Sequence, residues 1–284
     1  LERELDNAVK AFNPDMALAI VMDPNTGEIL GMSSRPNYDP NNYLDYDMET
    51  LSRNLPIWAS YEPGSTFKIS TFAAALEENL IDMENDHFYD SGSVIVSGAR
   101  IGCWKAGGHG DQTYLQVLQN SCNPGFVKLG QMLGKERLFS YLDLFGFGEK
   151  TGIDLNGEGE GIIFPLDQVG DLELSTTAFG QGVSVTPIQQ VTAVSSIVNG
   201  GNLYQPYIVK SFMEPETNSV IQTNEPKLVR KTISEETSSK MRYALETVVA
   251  LGGGKAAYID GYRVGGKTGT AQKVQDGKYL VGNY

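Results

Sequence analysis

Tyr61-Glu62-Pro63-Gly64-Ser65-Thr66-Phe67-Lys68 carries the strongest signal in the chain, because a serine and a lysine stand three residues apart where a helix is predicted to begin. The Pro-Gly pair interrupts regular structure, and residues 65–78 have the composition and apolar spacing of a helix. Residues three apart lie on one face of a helix. We therefore expect Ser65 and Lys68 to be neighbours.

This pair has the residue types of a serine nucleophile and its base. A serine hydroxyl becomes nucleophilic when a neighbouring group takes its proton, and Lys68 can do so if burial or another cation lowers its pKa. The start of a helix also favours an oxyanion that develops beside Ser65. The structural alternative is a helix-capping serine beside a solvated lysine, and the short pattern alone leaves both open.

A second motif, Ser121-Cys122-Asn123, lies between two predicted helices. Ser121 could relay protons there, and the Asn123 amide could hold a substrate carbonyl. Asn123 and Pro124 are also predicted to be the N-cap and the first residue of the second helix. The structural alternative is an ordinary turn between helices.

A third motif, Lys267-Thr268-Gly269-Thr270, lies in residues 262–272, which are predicted to form a strand. Lys267 offers positive charge to a carboxylate, Thr268 and Thr270 offer hydroxyl donors, and Gly269 lets a substrate approach the backbone. The structural alternative is an edge strand with a solvated lysine.

The three motifs occur in the order SxxK, SxN and KTG, which is typical of serine acyl-transferases that react with β-lactams. Two competing matches are less suitable. Ser52-Arg53-Asn54 precedes Ser65, and Lys150-Thr151-Gly152 follows a glycine-rich turn. Only the KTG motif at Lys267 is followed by a further threonine on a strand-like segment.

The chain resembles the transpeptidase domain of class B penicillin-binding proteins, most closely its sporulation-specific branch, with the division-specific branch as a near neighbour. The likeness covers nearly the whole chain and rests on YEPGSTFK (61–68), FYDSG (88–92), NSCNP (120–124), FGFG (145–148), TGID (151–154), FGQG (179–182) and GGKTGTAQ (265–272). Strands at both ends with helices between them also indicate an α/β unit with a helical insertion.

The resemblance implies an α/β fold of the penicillin-binding protein and serine β-lactamase type, with a mainly antiparallel sheet flanked by helices and an inserted helical subdomain. Residues 1–284 would form one transpeptidase domain that lacks the family's N-terminal membrane anchor and pedestal domain and its last strands and helix. Residues 278–284 have the pattern of a beginning strand.

The resemblance also implies a D,D-transpeptidase that cross-links peptidoglycan stem peptides at the outer face of the cell membrane, in spore cortex or septum. Ser65 would attack the D-Ala-D-Ala bond and form an acyl-enzyme, with Lys68 as base and Ser121 passing the proton to the leaving amine. Backbone N–H groups of Ser65 and Thr270 would form the oxyanion hole. The implied peptide-binding residues are Asn123, Lys267, Thr268, Gly269 and Thr270.

Further expectations concern ligands and partners. β-Lactams would acylate the same serine, the acyl transfer would need no cofactor, and a cell-wall glycosyltransferase is the expected protein partner by resemblance. Three alternatives remain open: a β-lactam-sensing receptor domain that is only acylated, a scaffold without activity, and a β-lactamase or D,D-carboxypeptidase. The hydrolase alternative rests on Glu214-Pro215-Glu216-Thr217-Asn218, which is also a good turn sequence between two strands.

Composition excludes other classes of function. The 284 residues include 22 Lys and Arg against 35 Asp and Glu, a net charge of −13 that repels nucleic acid. The longest apolar run, residues 16–22, is far shorter than the roughly 20 residues of a membrane span.

The two cysteines, Cys103 and Cys122, flank His109 and Asp111 in the sequence. Two thiolates, an imidazole and a carboxylate suit a tetrahedral structural zinc ion. Asp111 could instead cap the following helix, and the cysteines could be free or joined in a disulfide. The other histidine, His87, is predicted to be a surface or packing residue.

Overall fold

Helices account for more of the described residues than strands do. The computed structural model describes residues 1–271 and, in backbone only, 274–275 and 278–279. The α-helices of this part are α1 (Glu2–Phe12), α2 (Met48–Ser52), α3 (Leu55–Trp58), α4 (Lys68–Glu77), α5 (Tyr114–Gln119), α6 (Asn123–Leu144), α7 (Asp171–Thr177), α8 (Pro187–Val198) and α9 (Glu235–Ala250). None of these combines the length and apolar character needed to cross a membrane.

The strands form antiparallel pairs. They are β1 (Ala17–Met22), β2 (Ile29–Arg35), β3 (His87–Asp90), β4 (Ser93–Val96), β5 (Ala99–Gly102), β6 (Gly110–Thr113), β7 (Asn202–Tyr204), β8 (Ser211–Met213), β9 (Val220–Thr223), β10 (Leu228–Lys231), β11 (Val274–Gln275) and β12 (Lys278–Tyr279). Their partners are β1–β2, β3–β6, β4–β5, β7–β10, β8–β9 and β11–β12. The turn predicted at residues 214–218 therefore joins β8 to β9.

Helix α4 lies in the centre of the core. Every residue from Lys68 to Leu76 is buried, and a helix that is buried all round is a core helix. It packs against α6, α8 and α9, with the rings of Phe72 and Phe126 at 6.2 Å between centroids. The lysine of the first motif therefore begins the most buried helix of the fold.

The turn between α5 and α6 differs by one residue from the prediction. Cys122, not Asn123, is the N-cap of α6, and Asn123 and Pro124 are its first helical residues. The reason is the tight turn before it, in which the Ser121 N–H donates to Leu118 O at 3.1 Å and the Cys122 N–H donates to Val117 O at 3.0 Å. The Asn123 side chain therefore does not act as the N-cap, and its Oδ1 accepts from Lys68 Nζ at 2.6 Å.

The strand predicted over 262–272 is wrong for its described residues, 262–271, which have no regular secondary structure; Gln272 lies outside the described residues. Residues 265–267 and Leu18–Ile20 of β1 line a common cavity of about 750 Å³. Paired strands must lie about 4.8 Å apart to form a hydrogen-bonded ladder. This segment is held instead by the Gly266 N–H, which donates to Leu245 O of α9 at 3.1 Å. Of the predicted strand at 278–284, residues 278–279 form β12, and 280–284 lie outside the described residues.

One carboxylate joins the two central helices α4 and α9. Glu77, the last residue of α4, accepts the Ser234 N–H at 3.0 Å and the Ser234 hydroxyl at 2.8 Å, just before α9 begins. Burial alone would raise the pKa of Glu77, but hydrogen bonds from Thr237 and Ser234 outweigh it and lower this pKa below the ordinary value. The carboxylate therefore stabilises the N-terminus of α9 in its ionised form.

We predict that Glu77→Ala lowers the free energy of unfolding by about 2 kcal/mol, because it leaves the part-buried N–H and hydroxyl of Ser234 unpaired at the start of α9. Urea denaturation at pH 7 measures this change. Since the folded-state pKa is lowered, the difference between wild type and variant should be full above the ordinary glutamate pKa and disappear as the pH falls through the lowered one. Glu216→Ala, an exposed glutamate in the β8–β9 turn, is the matched control and should cost less than about 0.5 kcal/mol. Equal stability of Glu77→Ala and wild type would contradict this role.

Candidate active site

Ser65 lies in a short 3-10 turn, Gly64–Thr66, immediately before α4. Gly64 has a φ of +52°, which favours glycine, and its N–H donates to Gly180 O at 2.9 Å. A Cβ at Gly180 would overlap the Gly64 carbonyl. The turn that carries Ser65 is therefore fixed by close backbone contact with the FGQG stretch.

The KTG motif packs directly against the same turn. A Cβ on Gly269 would lie 2.8 Å from the Thr66 methyl and 3.1 Å from the Pro63 carbonyl oxygen. Only glycine allows this approach without displacement of the turn. The contact brings Thr270 close to the serine turn, since a Cβ on Gly64 would lie 2.6 Å from Thr270 O.

Lys68 connects the first motif to the second. Its side chain is fully buried, and Nζ donates to Ser121 O at 2.8 Å, Ser121 Oγ at 3.1 Å and Asn123 Oδ1 at 2.6 Å. An ammonium group has three N–H donors, and these three contacts use all of them. The side chain that sequence reasoning assigned as the base therefore holds both polar residues of the SxN motif.

Burial changes the acidity of both lysines. It lowers the pKa of Lys68 well below the ordinary value of 10.5, and the nearby charge of Lys267 lowers it further. Burial also lowers the pKa of Lys267, to about 8. Lys68 can therefore lose its proton more readily than a solvated lysine, while Lys267 remains mostly cationic at pH 7.

Ser121 is held in an uncommon backbone conformation. Its φ is +51°, in the left-handed region that few residues other than glycine adopt. Such strain costs about 1–3 kcal/mol and persists where the surroundings fix it. Lys68 supplies part of that fixation, since it binds both the carbonyl and the hydroxyl of Ser121.

A cavity of about 970 Å³ lies where most of the predicted catalytic and peptide-binding residues meet. Its lining includes six of them: Ser65, Ser121, Asn123, Lys267, Thr268 and Thr270. Lys68 lies buried behind this surface, and Gly269 packs against the serine turn. The cavity is large enough for a peptide or a drug-sized ligand.

Several lining residues were not predicted as site residues, among them Gln181 and Trp104. Gln181 follows the glycine that fixes the serine turn, and Trp104 follows Cys103. For Gln181 the FGQG stretch was a usable signal. For Trp104 the sequence held none, because the loop after β5 is irregular.

The competing sequence matches lie elsewhere. The Glu158 side chain accepts the Thr151 N–H at 2.7 Å and the Gly152 N–H at 3.1 Å, so the motif at Lys150 forms a local loop structure. Glu214 is exposed in the β8–β9 turn, where its N–H donates to Ser219 O at 2.8 Å. It is not among the described residues that line the cavity, which removes the support for a deacylating glutamate.

A compact group of four potential metal ligands lies beside the SxN motif. Ligand atoms of Asp90, Cys103, His109 and Cys122 all lie within 4.8 Å of one another. Asp90 Oδ2 is 3.0 Å from His109 Nδ1 and accepts from Cys122 Sγ at 3.3 Å, while Cys103 Sγ is 3.3 Å from His109 Nδ1. The two cysteines are not bonded to each other in the structure.

The predicted ligand Asp111 does not belong to this group, and Asp90 takes its place. In the β3–β6 pair, Asp111 lies opposite Tyr89 and Asp90 lies opposite Gly110. Successive side chains of a strand point to opposite faces, so Asp111 shares the outer face with His87, whose Nδ1 is 2.9 Å from its carboxylate. Asp90 points inward and is fully buried.

The acidity of the group matches its burial. Burial raises the pKa of the Cys122 thiol to about 12 and also raises that of Cys103. Burial alone would raise the pKa of Asp90, but hydrogen bonds from Cys103, the Gly92 N–H and His109 outweigh it and lower it. The group is therefore an ionised carboxylate among protonated thiols, and a metal cation would have to displace the thiol protons to bind.

Comparison with known proteins agrees with this geometry. A family model for the penicillin binding protein transpeptidase domain matches residues 17–284. The chain is 62% identical over all of its 284 residues to stage V sporulation protein D of Bacillus subtilis strain 168, of which it spans 44%. It is 33% identical to the peptidoglycan D,D-transpeptidase FtsI of Escherichia coli K12, with 98% of this chain and 45% of that protein covered. The chain thus spans less than half the length of these curated relatives.

Solved structures show the same fold. Penicillin binding protein 3 of Mycobacterium tuberculosis complexed with aztreonam has a TM-score of 0.90 and 29% identity, with 98% of this chain and 64% of that chain covered. The same protein complexed with ampicillin also has a TM-score of 0.90, with 63% of that chain covered. The predicted fold class is confirmed. The family match over residues 17–284, together with these similarities, shows that this chain belongs to the penicillin-binding protein transpeptidase domain family.

Proposed function

We propose that this chain is a serine D,D-transpeptidase domain that cross-links peptidoglycan stem peptides through an acyl-enzyme on Ser65. One observation carries the proposal: a fully buried lysine, three residues after Ser65, uses all its donors on the SxN motif at the wall of the cavity that Ser65 lines. The similarity to FtsI, named a peptidoglycan D,D-transpeptidase, supports the reaction class.

In the acylation step, Ser65 Oγ bonds to the carbonyl carbon of the penultimate D-Ala as its proton passes to the lone pair of neutral Lys68. In this form the amine donates only two of the three hydrogen bonds that the ammonium group makes. The C–N bond to the terminal D-Ala then breaks, and Ser121 Oγ hands a proton from Lys68 to the leaving amine. The 3.1 Å hydrogen bond between Lys68 Nζ and Ser121 Oγ supports this relay. The lowered pKa of Lys68 supports its role as base.

The residues around this relay would position the substrate. Lys267 would pair with the terminal carboxylate, Thr268 and Thr270 would donate hydroxyl hydrogen bonds, and Asn123 would hold a peptide amide. The contact of Gly269 with the serine turn supports an oxyanion hole formed by the N–H groups of Ser65 and Thr270.

The cellular setting follows from this chemistry. Cross-linking of peptidoglycan takes place at the extracytoplasmic face of the membrane, so we place the domain there, in spore cortex or septum synthesis. The name stage V sporulation protein D supports a role in sporulation, and the β-lactam complexes of the mycobacterial relative support acylation by these drugs. A cell-wall glycosyltransferase would supply the glycan strands that carry the stem peptides.

We predict that intact-mass spectrometry after incubation with a penicillin shows one covalent drug adduct on the wild-type protein and none on Ser65→Ala. Ser52→Ala, which changes the serine of the competing SxN match, is the matched control and should keep the adduct. An adduct that persists in Ser65→Ala would refute the nucleophile. A normal adduct without turnover of D-Ala-D-Ala peptides would favour the receptor alternative.

We predict a bell-shaped pH profile for the acylation rate with a carboxylate-bearing β-lactam. On the acid side the rate falls as Lys68 gains a proton and can no longer act as base. On the alkaline side it falls as the pH rises through about 8, because Lys267 loses the charge that binds the carboxylate. Stopped-flow acylation across pH measures both limbs.

Lys267→Arg provides the control for this profile, because an arginine keeps its charge beyond pH 12. The alkaline decline should move upward in the variant, while the acid limb stays in place. An unchanged alkaline decline in Lys267→Arg would show that another group causes it.

We further propose that Asp90, Cys103, His109 and Cys122 hold a structural zinc ion that takes no part in acyl transfer. Donor atoms around tetrahedral zinc lie about 3.3–3.8 Å apart, close to the 3.0 and 3.3 Å contacts of this group. Two sulfurs, one imidazole nitrogen and one carboxylate oxygen form a closed site of the structural kind.

We predict that native mass spectrometry shows one zinc ion per chain, which is lost on denaturation and in Cys122→Ser. Asp111→Asn is the control, and it should keep the ion because Asp111 lies on the outer face of β6. A metal-free protein with two titratable thiols would contradict the zinc proposal. So would a metal-free protein lighter by two hydrogens, which would reveal a disulfide.

A further inference from the structure

Trp104 occupies an unusual position on the cavity wall. Its side chain is 69% exposed, and it is the one aromatic among the described residues that line the cavity of Ser65. Tryptophan is enriched at binding interfaces, because its ring offers a large apolar surface together with one N–H donor. The ring therefore offers a flat apolar face to whatever enters this cavity.

The ring is fixed although it is exposed. The indole N–H donates to Asn120 O at 2.7 Å, and the ring contacts His109 edge to face, with 5.3 Å between centroids and 67° between planes. A side chain held in this way loses little conformational entropy when a ligand binds. Such preorganised aromatic residues make effective binding surfaces.

The reaction itself indicates which substrate passes this ring. Release of an amine from the substrate and attack by an amine on the acyl-enzyme are the same step in opposite directions. The incoming amine must therefore arrive where the leaving amine departs, beside the hydroxyl of Ser121 that exchanges its proton. Trp104 is hydrogen-bonded to Asn120, the residue directly before Ser121.

We propose that Trp104 binds the acceptor of the cross-linking step through the methylene groups that precede the acceptor's amine. The proposal rests on the transpeptidase function proposed above. The methylene groups pack on the indole face, and the amine extends past it to the acyl carbon.

The transfer step is balanced without a further reactant. The neutral amine nitrogen bonds to the acyl carbon, the bond from that carbon to Ser65 Oγ breaks, and an amide forms. One amine proton passes through Ser121 and Lys68 and restores the Ser65 hydroxyl. Trp104 takes no proton in this step.

The test compares two acceptors on a donor that acylates the enzyme, an acyl-D-alanyl thioester. Nα-acetyl-lysine carries its amine on an alkyl chain, and hydroxylamine has no alkyl chain. The measured quantity is the ratio of amide product to hydrolysed product. We expect Trp104→Ala to lower this ratio about tenfold for Nα-acetyl-lysine and to leave it within about twofold for hydroxylamine.

Two control variants sharpen this comparison. Trp104→Phe keeps an apolar ring face and should retain most of the ratio for Nα-acetyl-lysine. Tyr89→Ala removes an aromatic ring that is 70% exposed but does not line the cavity, and it should match the wild type. In Tyr89→Ala the penicillin adduct should also form as in the wild type.

Several outcomes would overturn the acceptor role. An unchanged ratio in Trp104→Ala would do so, and so would an equal loss with both acceptors, which would mean that Trp104 only supports the turn at Ser121. Loss of the penicillin adduct in Trp104→Ala would likewise assign the residue to the site of the nucleophile. A wild-type protein that forms no penicillin adduct would overturn the proposed function and the acceptor role together.

Discussion

The burial of one ammonium group organises this site. Lys68 is fully buried at the start of the central helix α4, and a buried charge is costly unless its donors are satisfied. Its partners, Ser121 and Asn123, come from the turn and the helix that follow α5. The need to satisfy Lys68 therefore binds the SxN motif to the serine turn. The same burial lowers the pKa of Lys68, so one constraint supplies both the geometry and the acidity of the proposed base.

Close backbone packing also fixes the position of the serine turn. Gly180 and Gly269 approach the serine turn from two sides, and a side chain at either position would collide with it. The nucleophile therefore sits between main-chain surfaces that have little freedom to move. Such a rigid setting suits an oxyanion hole, whose donors must point to the place where charge develops.

The sequence was sufficient to predict those site residues whose role follows from their residue type and from the order of the motifs. Ser65, Lys68, Ser121 and Asn123 were predicted from motifs, and the structure brings them together because α4 begins at Lys68 and α6 at Asn123. It was insufficient where the register of two paired strands decides which side chain points inward. Asp90 and Asp111 are both acids near the histidines, and only the pairing of β3 with β6 shows which one points inward.

Pairing also explains the wrong strand prediction at 262–271, since strand composition does not form a ladder without a neighbour in register. The sequence also did not predict the backbone conformation of the Ser121 turn. Its left-handed backbone is fixed from three sides: Asn120 O accepts from Trp104, Ser121 from Lys68, and Cys122 Sγ donates to Asp90. Through Asn120, Ser121 and Cys122, the turn that carries the proposed proton relay is thus hydrogen-bonded to the loop after β5, to helix α4 and to strand β3. Because each tie comes from a different part of the chain, the strained serine can be held only after these parts have folded together.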